Sequence, residues 1–421
     1  MVQFKKTVLP NGIRVVSEFH PSSHAVSLGV WVLTGTRDET TDMAGISHFL
    51  EHLVFKGTKN RSAYQIAKSL EALGGDLNAF TSRESTCYHA LVLRDHWPVA
   101  MDVLSDLVSH MRIDRKNFQL EKGVILQEIA MSEENHEEMI FDIFADRVYG
   151  KHPLGRPILG SIKSITEMTQ TQVQQYYRQH YTGRNMIISA AGNIDHQDLV
   201  EMVYKKLGHK KKLRLNPKRN APRWNKVRHV VEKNTEQAHI LLGIPAASFN
   251  DSFRFEALIL NSLLGGGMTS RLYQSVREKK GLAYSIYSLL NTYVDVGQIN
   301  IYAAVDSERA QEVIEIILND LRKLKKSGVR RSDVEMFKTQ VTGSILLGSD
   351  DIENRMNSLG VNEMIFGRYR SVDSIVEEIK KVSVDSIHEY LEEKFRLNSL
   401  SGVILGSGLS SISEWWKEVE V

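Results

Sequence analysis

A chain of 421 residues with 42% hydrophobic and 25% charged side chains has an ordinary globular composition and is too long for one typical core, so two or more domains are expected. A net charge of +2 excludes the global field of a nucleic-acid binder or a protein held on an acidic membrane, and no stretch approaches the ~20 apolar residues needed to cross a bilayer. The single cysteine, Cys87, excludes an intramolecular disulfide and a cysteine-built zinc site, and it fits a reducing, cytoplasmic setting.

The first ten residues carry neither an apolar signal core nor an Arg/Ser-rich presequence, so no leader is expected there. Asn11-Gly12 predicts a hairpin turn between short strands at 5–9 and 13–18. A core strand is expected over 25–33, then a polar loop over 34–44 in which Thr41 or Asp42 would cap the next helix. That helix carries His48-Phe49-Leu50-Glu51-His52, which reads H-x-x-E-H. Two imidazoles four residues apart fall on one helical face and can address one metal, with Glu51 beside the place of a metal-bound water. The order inverts the commoner H-E-x-x-H signature and is the inverzincin motif. The plain alternative is a helix with two hydrogen-bonded histidines and a surface glutamate.

Further along, a helix over 64–73 is stopped by Gly74-Gly75, residues 76–92 read as strand, and 97–111 as an amphipathic helix. A long helix over 117–135 offers Glu121, Glu128, Glu133 and Glu134. Glu121 and Glu128 are seven apart and share the face that runs with Val124 and Ile125 toward the core. A core-facing glutamate needs a partner; a zinc ion for one and a ligating histidine for the other would meet that need. Glu133, Glu134, Glu137 and Glu138 fit a solvated acidic face. A helix over 173–180 and an apolar strand over 185–192 complete this part.

From 205 to 228 nearly every second residue is Lys or Arg, with Pro217 and Pro222 among them, which reads as a solvated linker. A nucleic-acid tail is disfavoured because only Trp224 could stack on bases. The pattern then restarts. Residues 238–244 resemble the strand at 25–33, and a turn over 288–297, a strand over 298–305 and a helix over 308–324 repeat the earlier order. Val173-Gln174-Gln175-Tyr176 lines up with Ile387-His388-Glu389-Tyr390, Tyr181 with Phe395, and Gly192 with Gly406. The chain is therefore expected to be a duplicated α/β (α+β) unit: a half over 1–205, a basic linker over 206–229 and a homologous half over 230–421. Only the first half carries the histidine motif, since 258–264 contains neither His nor Glu. Gly265-Gly266-Gly267 is not a phosphate loop, because no Gly-Lys-Ser/Thr follows.

With these motifs in order, the chain resembles the pitrilysin/insulinase family of zinc peptidases, most of all the short members that include mitochondrial processing peptidase and its bacterial counterparts. The resemblance covers almost the whole chain. It rests on His48 to His52 with Phe55-Lys56-Gly57-Thr58, on Gly74 to Thr81 with Glu84, Thr86 and Tyr88, on Val124 to Ile129, and on Leu264 to Leu272 with Arg277 to Ser285. It implies two homologous halves, each a mixed β-sheet covered by helices. It also implies one zinc per chain held by His48, His52 and Glu128, Glu51 as general base, Glu121 as a supporting acid, and Arg277 and Tyr284 as substrate contacts from the second half. Asn78, Ala79 and Phe80 would lie on an edge strand that receives a peptide. The implied activity is metal-dependent endopeptidase cleavage of short or unfolded peptides, by a homodimer enclosing a chamber. The alternatives are a processing protease for one precursor and a non-catalytic subunit of a peptidase complex. The non-catalytic partner's glycine-rich loop is not evident here.

Overall fold

A computed structural model describes residues 3–213 and 219–419. Part of the expected linker, 214–218, lies outside the described residues. The first sheet contains β1 (Gln3–Val8), β2 (Arg14–Phe19), β3 (Ala25–Val32), β4 (Asp76–Thr81), β5 (Thr86–Leu93) and β6 (Met186–Gly192), in the order β1-β2-β6-β3-β5-β4. The second contains β7 (Arg228–Glu232), β8 (Ala238–Ala246), β9 (Ala283–Thr292), β10 (Gly297–Val305) and β11 (Ser401–Gly406), in the order β7-β11-β8-β10-β9. From β2 onward the two orders correspond strand for strand. The single parallel pair of each sheet, β2 with β6 and β7 with β11, falls at the same place. This is the duplication read from the sequence, in mixed sheets covered by helices.

The helices repeat as well. In the first half they are α1 (Ile46–Val54), α2 (Ala63–Glu71), α3 (Trp97–His110), α4 (Arg115–Glu134), α5 (His136–Tyr149), α6 (Ile162–Glu167), α7 (Gln170–His180) and α8 (His196–Leu207). In the second half come α9 (Arg254–Gly265), α10 (Ala310–Ser327), α11 (Arg331–Gly348), α12 (Ile352–Phe366), α13 (Val372–Lys381), α14 (Val384–Glu393) and α15 (Ser410–Glu418), with a π-helical turn at Tyr273–Glu278 in the place of α2.

The compact units do not coincide with the sequence halves. One comprises Met1–Ala130, Arg156–Arg219 and Leu347–Arg370; the other comprises Met131–Gly155, Asn220–Leu346 and Ser371–Val421. Boundaries at 205 and 230 therefore do not delimit them, because α5 and α12 are exchanged. The physical reason is that each sheet has two apolar faces. Along β3, Val26, Leu28, Val30 and Val32 enter the main core of their unit, while Trp31 enters a second cluster with Val16, Ile187, Met356 and Leu359. Helix α12 covers that second face. In the other unit α5 does the same, with Ile140, Phe144 and Val148 on Leu241, Tyr302, Val403 and Leu405. Glycines permit the close approach: a methyl at Gly360 would lie 2.2 Å from the Trp31 ring, and one at Gly243 2.3 Å from the Phe144 ring.

Three local expectations change. Residues 76–92 form a hairpin rather than one strand, because Ser82 and Ser85 close a turn between β4 and β5. The expected turn at 288–297 begins only after β9, which runs to Thr292. The basic stretch is not wholly solvated: α8 extends to Leu207, and Arg219 makes a two-pronged bond to Asp38, with Nε to Oδ1 at 2.9 Å and Nη2 to Oδ2 at 2.6 Å.

Candidate active site

The motif helix α1 is amphipathic, and its burial sets what it presents. Phe49, Leu50, Leu53 and Val54 are fully buried, each worth about 1.5–3 kcal/mol of transfer free energy. His48, Glu51 and His52 are left half-buried on the opposite side. Beside α1 runs α4, whose buried stripe is Phe118, Glu121, Ile125 and Ile129. The two helices are joined where the Phe49 and Phe118 rings pack 5.1 Å apart.

This packing brings four motif-bearing side chains together. The His48 and His52 rings lie 4.6 Å apart. Glu128 reaches both: its Oε2 lies 4.0 Å from His48 Nε2 and its Oε1 3.6 Å from His52 Nε2. One ligand atom from each of the three can be chosen so that all lie within 4.8 Å of one another, and no other such group of three occurs among the described residues. His52 Nδ1 faces Glu121 Oε2 at 3.3 Å, which leaves Nε2 to point at Glu128. Glu121 is buried and also pairs with Lys56 Nζ at 2.9 Å. Glu133 and Glu134 lie exposed at the far end of α4.

The electrostatics suit a cation. Burial, with His52 nearby, holds His48 down to about 4, so its ring is neutral and keeps a free lone pair. Burial raises the Glu51 carboxyl, and Glu128 adds to that, against the hydrogen bond from Thr81 and the influence of His52. Glu128 Oε2 and His48 Nδ1 are buried without a hydrogen-bond partner. Two imidazoles on one helical face, a carboxylate with an unpaired buried oxygen and a carboxylate behind one imidazole fit a zinc ion.

Glu51 is held by a 2.5 Å hydrogen bond from Thr81 Oγ1, at the last residue of β4. Among the described residues strand β4 pairs only with β5, so its other side is an open edge. Asn78 and Phe80 are exposed on one face of it, while Ala79 packs on the core side. Phe80 rests edge-on against Trp31, with ring centroids 5.6 Å apart. Arg277 and Tyr284 belong to the other compact unit, where the guanidinium lies 5.6 Å from the Tyr284 ring centroid and Tyr284 is 78% exposed. The sequence predicts the α1 cap at Thr41 or Asp42. The structure instead has Gly45 at the N-cap position and the buried Glu39 bonded to the helix start. Glu39 and the Thr81–Glu51 bond carried no local sequence signal, because each depends on a loop or strand folding back onto α1, and the Lys56–Glu121 pair depends on α4 packing beside it.

Residues 14–162 match the family model described as insulinase (peptidase family M16), and 167–341 match the one described as the peptidase M16 inactive domain. A Mycobacterium tuberculosis protein named as an uncharacterized zinc protease is 39% identical over 389 residues, covering 91% of this chain and 89% of its own. A Bacillus subtilis protein given the same description is 36% identical over 404 residues, covering 96% and 98%. Among solved structures, a protease from Helicobacter pylori superposes with a TM-score of 0.88 at 22% identity, over 96% of this chain and 100% of that one. A peptidase M16 inactive domain from Pseudomonas fluorescens gives 0.90 at 18% identity, over 96% and 98%.

Proposed function

The chain belongs to the insulinase family, peptidase family M16, and from that premise we propose that it is a zinc-dependent endopeptidase acting on short or unfolded peptides. The observation that carries the reading is the convergence of His48, His52 and Glu128 beside Glu51, at the end of the open strand β4. In this reading the first three residues hold one zinc per chain. Bound zinc supplies a Lewis acid that polarises the scissile carbonyl and brings a water from a pKa of 15.7 to ~7. Glu51, held by Thr81 Oγ1, takes the proton of the attacking water and returns it to the leaving amine. Glu121 orients His52 through Nδ1. An extended peptide adds to the edge at Asn78, Ala79 and Phe80 by main-chain hydrogen bonds, which favours unfolded substrates and tolerates varied sequence. Arg277 and Tyr284 donate to the developing oxyanion.

Two copies are proposed to enclose a chamber, which excludes folded proteins. No helix among the described residues is long and apolar enough to cross a membrane. A cytoplasmic setting is proposed from the lone, buried thiol of Cys87. The test is cleavage of an unbiased peptide library with and without a chelator. Internal cleavages that vanish with the chelator and return with zinc are expected; cleavage indifferent to the chelator, or none by zinc-loaded protein, overturns the reading.

A further inference from the structure

Helix α1 begins in an unusual way. Its N-cap, Gly45, has φ +89°, and a methyl there would lie 2.5 Å from the Leu159 carbonyl oxygen. Only glycine fits, so the position where Ser, Thr, Asp or Asn would cap the helix carries no side chain. The cap comes instead from Glu39, six residues upstream and 4% exposed. Its Oε2 accepts from Gly45 N at 2.8 Å, and its Oε1 accepts from Ser47 N at 2.8 Å. Both oxygens are thus spent on the first turn of the helix, one residue short of His48. Burial pushes the carboxyl up, and the bonds from Ser47 and Gly45 with the Arg156 charge act against it, leaving the group at about 7.

Glu39 is itself held. Arg156 Nη1 donates to its main-chain oxygen at 2.5 Å and Nη2 to Thr41 Oγ1 at 3.1 Å. Its two predecessors are tied elsewhere: Arg37 to Glu84 at 2.7 Å, in the turn after β4, and Asp38 to Arg219. Three consecutive side chains therefore connect the start of α1, the hairpin that bears the open edge, and the basic segment. A rotation of α1 about its axis would swing His48 and His52 away from Glu128; fully buried Ile46 and the 2.8 Å bond between Ser47 Oγ and Tyr176 OH also resist it, while Glu39 engages the main-chain amides at the helix start.

We propose that Glu39 is a positioning residue of the metal centre. Its carboxylate sets the entry of α1 and so the aim of the two histidines at Glu128. The inference rests on the zinc reading above. It is tested on the purified full chain by zinc affinity in competition with a chromophoric chelator, and by the visible spectrum of the cobalt-substituted protein, which reports ligand geometry. Glu39→Ala is expected to weaken zinc binding ~10–100-fold and to change the cobalt bands, the size of effect known for groups that orient metal ligands. Glu39→Gln, nearly isosteric and still able to accept one amide, is expected to fold and to lose less. Arg355→Met, which loosens the same unit away from α1, serves as the control and is expected to keep native affinity. Native affinity and a native cobalt spectrum in Glu39→Gln and in folded Glu39→Ala overturn the inference alone, as does an equal loss in Arg355→Met. A native chain that binds no zinc overturns the zinc reading with it.

Discussion

Arg355 on α12 grips Glu18 on β2 in a two-pronged ion pair, with Nε at 2.8 Å and Nη2 at 2.5 Å from the carboxylate oxygens, although 337 residues separate them in the chain. Tyr369 OH donates to the same carboxylate at 2.9 Å, and His20 lies 2.8 Å from it. Both charges are buried, so each depends on the other for solvation. This pair fastens the helix from the second half onto the first sheet.

Removing one partner strands the other. Arg355→Met is expected to cost about 3–5 kcal/mol of unfolding free energy, read from urea denaturation at neutral pH. A loss under about 1 kcal/mol would show that the exchanged helix is held by packing alone.

The same pair predicts a pH dependence. Burial alone would raise the Glu18 carboxyl, but the hydrogen bonds from His20, Arg355 and Tyr369 and the Arg355 charge outweigh it and pull the group down to about 2. A lowered carboxylate contributes stability that is complete above its ordinary value of 4.5 and is lost as pH falls toward 2. The stability gap between the native chain and Glu18→Gln should therefore be constant from pH 7 to about 5 and shrink below that. A gap that stays the same to pH 3 contradicts the assignment.

Gly360→Ala reverses a familiar sign. In an exposed helix this change stabilises by up to ~1 kcal/mol. Here the methyl meets the Trp31 indole, which cannot retreat because its Nε1 donates to Ser189 Oγ at 2.8 Å. Destabilisation by about 1–3 kcal/mol is expected in chemical denaturation. A gain in stability would mean that α12 does not lie flush on the sheet.

Glu51→Gln separates binding from chemistry. The three metal-facing side chains are untouched, so zinc content by metal analysis should stay at one per chain. The loss of the base should lower kcat by ~10²–10⁴-fold. Turnover at the native rate would remove Glu51 from the reaction.

His48→Ala makes the complementary cut. With one imidazole gone, His52 and Glu128 remain as two donors, too few for a closed protein set. Stoichiometric zinc in the native chain and its loss in this variant are expected. Equal zinc in both would place the ion elsewhere.

The chain's own periodicities determined a good deal. A helical repeat of 3.6 puts His48, Glu51 and His52 on one face whatever surrounds them, and a spacing of seven does the same for Glu121 and Glu128. The duplicated order of strands and helices is likewise legible, because alternation and amphipathic stripes are local. Tertiary structure decided what local pattern cannot carry. It assigned Glu121 and Glu128 to different faces of His52, brought Glu39 to a helix start whose own cap position admits only glycine, and tied Thr81 to Glu51. It also exchanged α5 and α12 between the units. Each of these depends on which distant segment covers a given face, and the burial of apolar area, being non-directional, does not by itself name that segment.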